Sequence, residues 1–400
     1  MGSLYFLRHL NPILNSHIYL DYAATTPMAP EAVTAMLQCL TGDGAFANPA
    51  SLQHHFGERA HALIEDARAD MAKSLGCKSS ELIFTSGATE SNNLAIKGIA
   101  LRYQHKGRHI ITSATEHKSI LDCCKYLEGI GFQITYLRPD QQGQLSLDCI
   151  LAALTEQTIL VSLMQVNNET GVIQDIDRIA HALKDKDLFF HVDAAQSAGK
   201  LNINLANTPI DLLSLSGHKF YGPKGIGGLF VRNRKQTQLT PLLHGGGQEY
   251  GLRPGTLPTH QIIGMATAFR IADESMQEDY QHCQRLADIL TAQLKQLDGV
   301  HFNGAPAHKL ANIINVSFDQ VGADALMIAL RDEIAMASGS ACNSGAIEAS
   351  HVLRAMGIEG DRLYGAVRIS FGRYNTEAEI KQAGQRMVEE VARLRQLTLE

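Results

Sequence analysis

No stretch of this 400-residue sequence approaches the roughly 20 consecutive apolar positions of a membrane-spanning helix, so no membrane segment is expected. Basic residues are not in excess. The 35 Lys and Arg face 41 Asp and Glu, a net charge of −6, which excludes a strongly basic nucleic-acid binder at the level of whole-chain charge. The seven cysteines (39, 77, 123, 124, 149, 283 and 342) are odd in number, irregularly spaced and without C-x-x-C. A disulfide framework or structural zinc site is therefore not expected, and a reducing, cytoplasmic compartment is. The glycine runs match neither G-x-x-x-x-G-K-[ST] nor G-x-G-x-x-G, so neither a P-loop nor a dinucleotide fingerprint is supported. Tryptophan is absent, which decides nothing, and no internal repeat or low-complexity tract occurs. Residues 1–17 carry Arg8 and no acid and lack a signal-peptide core, so they read as a plain leader rather than a transit peptide.

What is present is an ordinary globular composition, 45% apolar and 19% charged, in a chain long enough for two domains. Short apolar runs, ELIFTS (81–86), HIITS (109–113), ILVSLMQV (159–166), LFFHVD (188–193), DLLSLS (211–216) and GGLFV (227–231), alternate with helical spacing as in 92–104 and 175–186. Buried strands alternating with helices predict βαβ units and an α/β fold with a mainly parallel sheet. From about residue 270 the pattern changes. One long helical stretch (271–297), strands at 312–318 and 366–373 and a final helix from Thr376 suggest a smaller α+β domain. The expected division is 20–268 against 1–19 with 269–400, the latter carrying a loop at about 334–347.

Several segments place reactive side chains at strand ends. In LIFTSGATESNNLAI (82–96), Ser86, Gly87, Ala88 and Thr89 offer free N–H groups at a helix start, which suits an anion and equally suits simple capping. Asp193 ends a strand where α/β proteins bind ligands, and suits a protonated ring nitrogen or a helix cap. Lys219 follows a buried strand with Ser216, Gly217 and His218. Such a lysine is costly unless paired or committed to chemistry, and a Schiff base to an aldehyde cofactor would commit it; snorkelling is the plainer reading. Cys342, in MASGSACNSGAI (336–347), is surrounded by small residues and reads either as an exposed nucleophile or as an inert surface thiol. The other six cysteines read as core or surface residues. His117 after a strand, Arg253 and Thr256 in a glycine-rich loop, and Arg368 on a strand each admit a structural role as well as a ligand contact.

Together these segments resemble the cysteine desulfurases among the fold-type-I pyridoxal-phosphate enzymes, closest to the IscS/NifS type. The likeness runs from about Ile18 to Leu394 through YLDYAATTP, NPAS, TSGATESNN, TEHKS, VNNETG, HVDAAQS, SGHKFYGPKGIG, GGGQE, RPGTLPTHQ, SGSAC and VRISFGR, in that order. It implies a large domain built on a mainly parallel seven-stranded sheet plus a smaller α+β domain. It implies pyridoxal 5'-phosphate bound covalently by Lys219, which also moves protons. Ala88, Thr89, Ser216 and His218 would hold the phosphate, with Thr256 supplied by the partner of a homodimer. Asp193 would pair with the ring nitrogen, Gln196 with the ring oxygen, and His117 would stack on the ring. Asn168 and Arg368 would clamp the carboxylate of L-cysteine. Cys342 would take the sulfur as a persulfide, releasing alanine, and pass it to an iron–sulfur scaffold or other acceptor; it would also serve as a transient iron–sulfur ligand shared with that scaffold. Neither nucleic acid nor membrane is implied. A selenocysteine lyase or cysteine β-lyase is the alternative. The sequence departs from the family at Asn343, where Thr is common, and at Pro254, where Ser is, both peripheral to the chemistry. It ends at Glu400, where family members continue into a scaffold-docking tail.

Overall fold

The computed structural model describes residues 17–338 and 349–399. Its elements in chain order begin with β1 (Ile18–Tyr19), α1 (Pro30–Leu37), α2 (His55–Leu75), β2 (Leu82–Thr85), α3 (Ala88–Tyr103), β3 (His109–Ser113) and α4 (Lys118–Glu128). Next come β4 (Gln133–Leu137), α5 (Leu147–Ala152), β5 (Thr158–Met164), α6 (Ile176–Leu183), β6 (Phe189–Asp193), β7 (Leu212–Ser216) and β8 (Gly227–Val231). The remainder is α7 (Thr259–Glu274), α8 (Met276–Leu294), β9 (Val300–Asn303), β10 (Ile313–Phe318), α9 (Ala323–Leu330), β11 (Ile334–Ala335) and β12 (Ala337–Ser338). It closes with α10 (His351–Ala355), α11 (Asp361–Tyr364), β13 (Ala366–Ser370) and α12 (Glu377–Leu399).

Seven strands form one sheet in the order β2-β8-β7-β6-β5-β3-β4, parallel except for β8, which runs against both neighbours. Strands β3, β5, β7 and β8 are buried throughout, which is why they read as continuous apolar runs. The edge strand β4 is exposed or half-buried over four of its five residues and carries no such run. Apolar clusters cover the two faces: Phe84, Val161, Phe190 and Phe230 on one side, Ile83, Ile110, Leu160 and Leu229 on the other. The smaller sheet, β12-β13-β10-β9, is antiparallel and covered by α8, α9 and α12.

The single helix expected over 271–297 is two helices that part at Ser275. Ser275 leaves helical geometry (φ −96°, ψ 3°), and Glu278 and Asp279 favour the new N-terminus behind it. The break has a packing reason. Helix α7 lies on α1 and α2 against the large sheet, whereas α8 packs on α12 over the small one.

The N-terminal strand β1 pairs with β11, and the chain then runs beside Ser370, whose hydroxyl accepts from Ala23 N at 2.8 Å. That path presents the carbonyls of Ala23 and Ala24 to the C-terminal ends of β6 and β7.

Candidate active site

A cavity of about 590 Å³ opens at the C-terminal ends of β5, β6 and β7, where parallel strands leave room for a ligand. Its walls include His117, Asn168, Asp193, Gln196, Ser216, His218, Lys219 and Arg368, with Ala88 and Thr89 at one end. Ten of the residues singled out in the sequence thus share one space, although they come from opposite ends of the chain. Thr256 is not among the walls and is exposed in its loop. Cys342 and Asn343 lie outside the described residues.

Lys219 sits on a 3-10 turn after β7, and its Nζ donates to Ala23 O at 2.6 Å and Ala24 O at 2.8 Å. Burial, aided by the Arg368 guanidinium, lowers its pKa from 10.5 to about 8. A substantial neutral fraction is therefore present near pH 8, and only the neutral amine is a nucleophile. Uptake of pyridoxal phosphate by cofactor-free protein is expected to rise about tenfold per pH unit below 8 and to level off above it. Absorbance-monitored uptake between pH 6 and 10 measures this; a flat profile contradicts it.

Asp193 Oδ1 accepts from Ala195 N and Oδ2 from Asn92 Nδ2, both at 2.8 Å. The second hydrogen of Asn92 Nδ2 goes to Ser119 Oγ at 2.9 Å, so that hydroxyl donates onward to His117 Nδ1, 2.9 Å away. His117 caps α4 by accepting the Ser119 N–H at the same nitrogen, 3.1 Å. With Nδ1 accepting twice, the proton of the neutral ring is on Nε2. Burial lowers the His117 pKa, with Asp193 acting against it. His218 is pushed down to about 4 by burial and the neighbouring Lys219 charge, so it too is neutral at pH 7.

The residues fit pyridoxal phosphate. Helix α3 begins at Gly87, whose φ of 148° brings the chain close to β8 and whose position leaves the first turn without a side-chain cap. A Cβ on Gly227 would lie 2.6 Å from Gly87 Cα, so this approach requires glycine. Gln196, in the cavity wall, has its Oε1 buried without a partner among the described residues, a polar atom suited to a ligand.

Arg368 reaches the cavity from β13. Its Nη2 donates to Asp21 Oδ1 at 2.8 Å and its Nη1 to Asn168 O at 3.0 Å, while Nε has no partner among the described residues. Sequence reasoning assigned no role to Asp21, Lys118, Glu169 or His351, which also line the cavity. Asp21 was visible only as part of the YLDYAATTP segment. The Glu169 carboxyl accepts the Ser350 hydroxyl, and burial raises its pKa to about 7. His351 Nε2 donates to Glu116 O at 2.9 Å.

The glycine-rich loop after β8 is pinned by Glu249, in which the sequence showed no role. Its carboxylate takes both Arg68 Nη groups at 2.8 and 2.7 Å and the Phe84 N–H at 2.6 Å. Glu249 and the adjacent Tyr250 have φ of +46° and +59°, a strained conformation that the buried pair sustains. Glu249→Ala would remove the buried carboxylate from the buried Arg68, leaving it only the more exposed Glu65 as an ion partner. The expected cost is about 3–5 kcal/mol, read as a lower urea midpoint; a change below about 1 kcal/mol contradicts the pinning role.

The aminotransferase class-V family profile matches residues 18–383. The chain belongs to this family, among its cysteine desulfurases. It is 50% identical over 381 residues to the cysteine desulfurase IscS of Mannheimia succiniciproducens, covering 95% of this chain and 94% of that one. It is 48% identical to the IscS of Buchnera aphidicola, covering 96% and 95%. Among solved structures, a NifS-like protein superposes with a TM-score of 0.88 at 36% identity, covering 94% of this chain and 99% of that one. A structure titled SspA in complex with cysteine superposes at 0.79 with 39% identity, covering 90% and 100%. The family carries pyridoxal phosphate, and its fold is the α/β arrangement described above. Among the described residues no helix is long and apolar enough to cross a membrane.

Proposed function

We propose that this protein is a cysteine desulfurase that removes sulfur from L-cysteine, releases L-alanine and carries the sulfur as a persulfide on Cys342. The observation that carries the reading is the convergence in one cavity of a lysine with lowered pKa, a carboxylate, an uncapped helix N-terminus and an arginine.

The N–H groups of Ala88 and Thr89, with Ser216 and His218, would bind the cofactor's phosphate. Asp193 would hold a proton at the ring nitrogen, and Gln196 would meet the ring oxygen. When bound, pyridoxal phosphate supplies an electron sink for the bonds at the substrate's α-carbon. Lys219, held 2.6 Å from Ala23 O, takes the proton at that carbon in its neutral form and returns it. The substrate's carboxylate is held by Arg368, whose aim is set by Asp21 and Asn168 O, and by the Asn168 amide. His117, with its proton on Nε2, would lie beside the bound ring and serve in proton transfer.

The Cys342 thiolate attacks the substrate's sulfur. A sulfur–sulfur bond forms, the carbon–sulfur bond breaks, and the β-carbon keeps the electron pair and takes a proton. Cysteine and enzyme thiol thus become alanine and enzyme persulfide without an external oxidant. Passage to an iron–sulfur scaffold or another acceptor follows from this chemistry, with Cys342 as a transient cluster ligand. A homodimer fits the exposed Thr256, which would complete the partner's phosphate site. The loop's base is meanwhile held to its own chain by Glu249 and by Arg253–Glu90, 3.1 Å. A cytoplasmic setting fits the six described cysteines, all of them free. The division at about residue 268 is supported by the two apolar cores that α7 and α8 serve separately.

The test is incubation with L-cysteine and a thiol reductant. Equal amounts of alanine and sulfide support desulfuration. Pyruvate in place of alanine identifies a β-lyase, and activity confined to L-selenocysteine a selenocysteine lyase.

A further inference from the structure

Lys219 and Gln196 stand on separate turns, after β7 and β6, and the pairing of those strands ends at Asp193↔Ser214. Beyond that point the sheet does not set their separation. Their side chains nevertheless converge on one atom: Ala23 O accepts from Gln196 Nε2 at 2.8 Å and from Lys219 Nζ at 2.6 Å. Behind them, Lys200 Nζ donates to Gln196 O and to Lys219 O, each at 3.0 Å. These contacts close a ring that runs from the Ala23 carbonyl through Gln196, the Lys200 amino group and Lys219 back to Ala23. Two of its contacts face the cavity and two lie behind the turns.

We propose that Lys200 is a positioning residue for Lys219: by tying the Lys219 and Gln196 carbonyls together, it sets the aim of the Lys219 amine. The inference rests on the desulfurase reading given above. Without Lys200 each carbonyl would lose a donor in a place with little water to replace it. The charged or titratable groups that face Lys200 are Lys219 and His218 and, from α8, Cys283 and Asp279, the latter already paired with Arg373 at 2.5 Å. Burial and the Lys219 charge lower the Lys200 pKa to about 7. Loss of that proton does not open the ring, because a neutral amine keeps two N–H groups for two carbonyls. The hold on Lys219 therefore persists on both sides of neutrality.

The experiment compares K200M and K200R with wild type in the full chain loaded with pyridoxal phosphate, and again in the cofactor-free protein. K200M keeps the length of the stem and removes both donors. It is expected to lower kcat by about 10²-fold through misplacement of the amine, with KM for L-cysteine changed by less than about threefold. Arg368 and Asn168 lie outside the ring, which is why KM is spared. In the cofactor-free protein, hydrogen exchange of residues 217–222 should quicken in K200M while the strands keep their protection. K200R restores N–H donors and should return kcat to within about tenfold of wild type. A folded K200M with wild-type exchange at 217–222 and wild-type kcat overturns the proposal. If K200M does not fold, K200R decides: wild-type-like exchange at 217–222 supports the proposal, and accelerated exchange overturns it. Wild-type protein that yields no alanine refutes the desulfurase reading instead, and the exchange data still report on Lys200.

Discussion

Replacing Lys219 by alanine lowers alanine release from L-cysteine on the order of 10²–10⁴-fold, the span associated with one positioned proton-transfer group. In the proposed role it would also remove the covalent hold on the cofactor, which gives the result a second readout in the visible absorbance of the protein. The magnitude follows from where the amine sits. It is half-buried, held by two carbonyls at 2.6 and 2.8 Å, and its pKa of about 8 lets it both take and return a proton near neutral pH. Lys219→Arg is expected to be as damaging, since a guanidinium does not lose its proton in this range. Loss in both variants separates base chemistry from mere charge. Turnover within tenfold of wild type in either one would remove Lys219 from its assigned role.

Cys342→Ala is expected to bring sulfide and alanine to background together. The sulfur must leave the substrate on a nucleophile, and the balance of the reaction admits one thiol per sulfur. The small residues flanking Cys342 in SGSACNSG offer little apolar surface to bury it, and a thiolate in water is the reactive form. Mass spectrometry of the wild-type enzyme after cysteine, without reductant, should show one added sulfur on the peptide containing Cys342. Sustained sulfide from the variant, with pyruvate, would make the enzyme a β-lyase.

Strand ends were the most legible part of this site. Asp193 and Ser216–Lys219 each follow a buried apolar run, and a polar or charged residue there is a ligand candidate even where a cap or a snorkelling stem would also account for it. Strand β4 and the Ser275 break were not legible for a common reason. An edge strand half in water need not be apolar, and Ser275 interrupts a pattern that stays amphipathic on both sides.

The residues that hold the reactive groups in place were hidden by distance along the chain. Asp21 meets Arg368 across 347 positions, and Arg68 meets Glu249 across 181. Nothing local marks such partners, because neither segment needs the other for its own helix, strand or turn. Protonation is hidden in the same way. The neutral His117 with its proton on Nε2 depends on Ser119 and, through it, on Asn92 from another helix. Local order, the alternation of strands and helices, and the identity of the reactive side chains follow from the amino-acid pattern, because periodicity and backbone propensity act over a few residues. Which amine has its pKa lowered, which carboxylate is paired and which arginine is aimed follow only from the packed chain, because desolvation and hydrogen bonding are set by whatever the fold brings alongside.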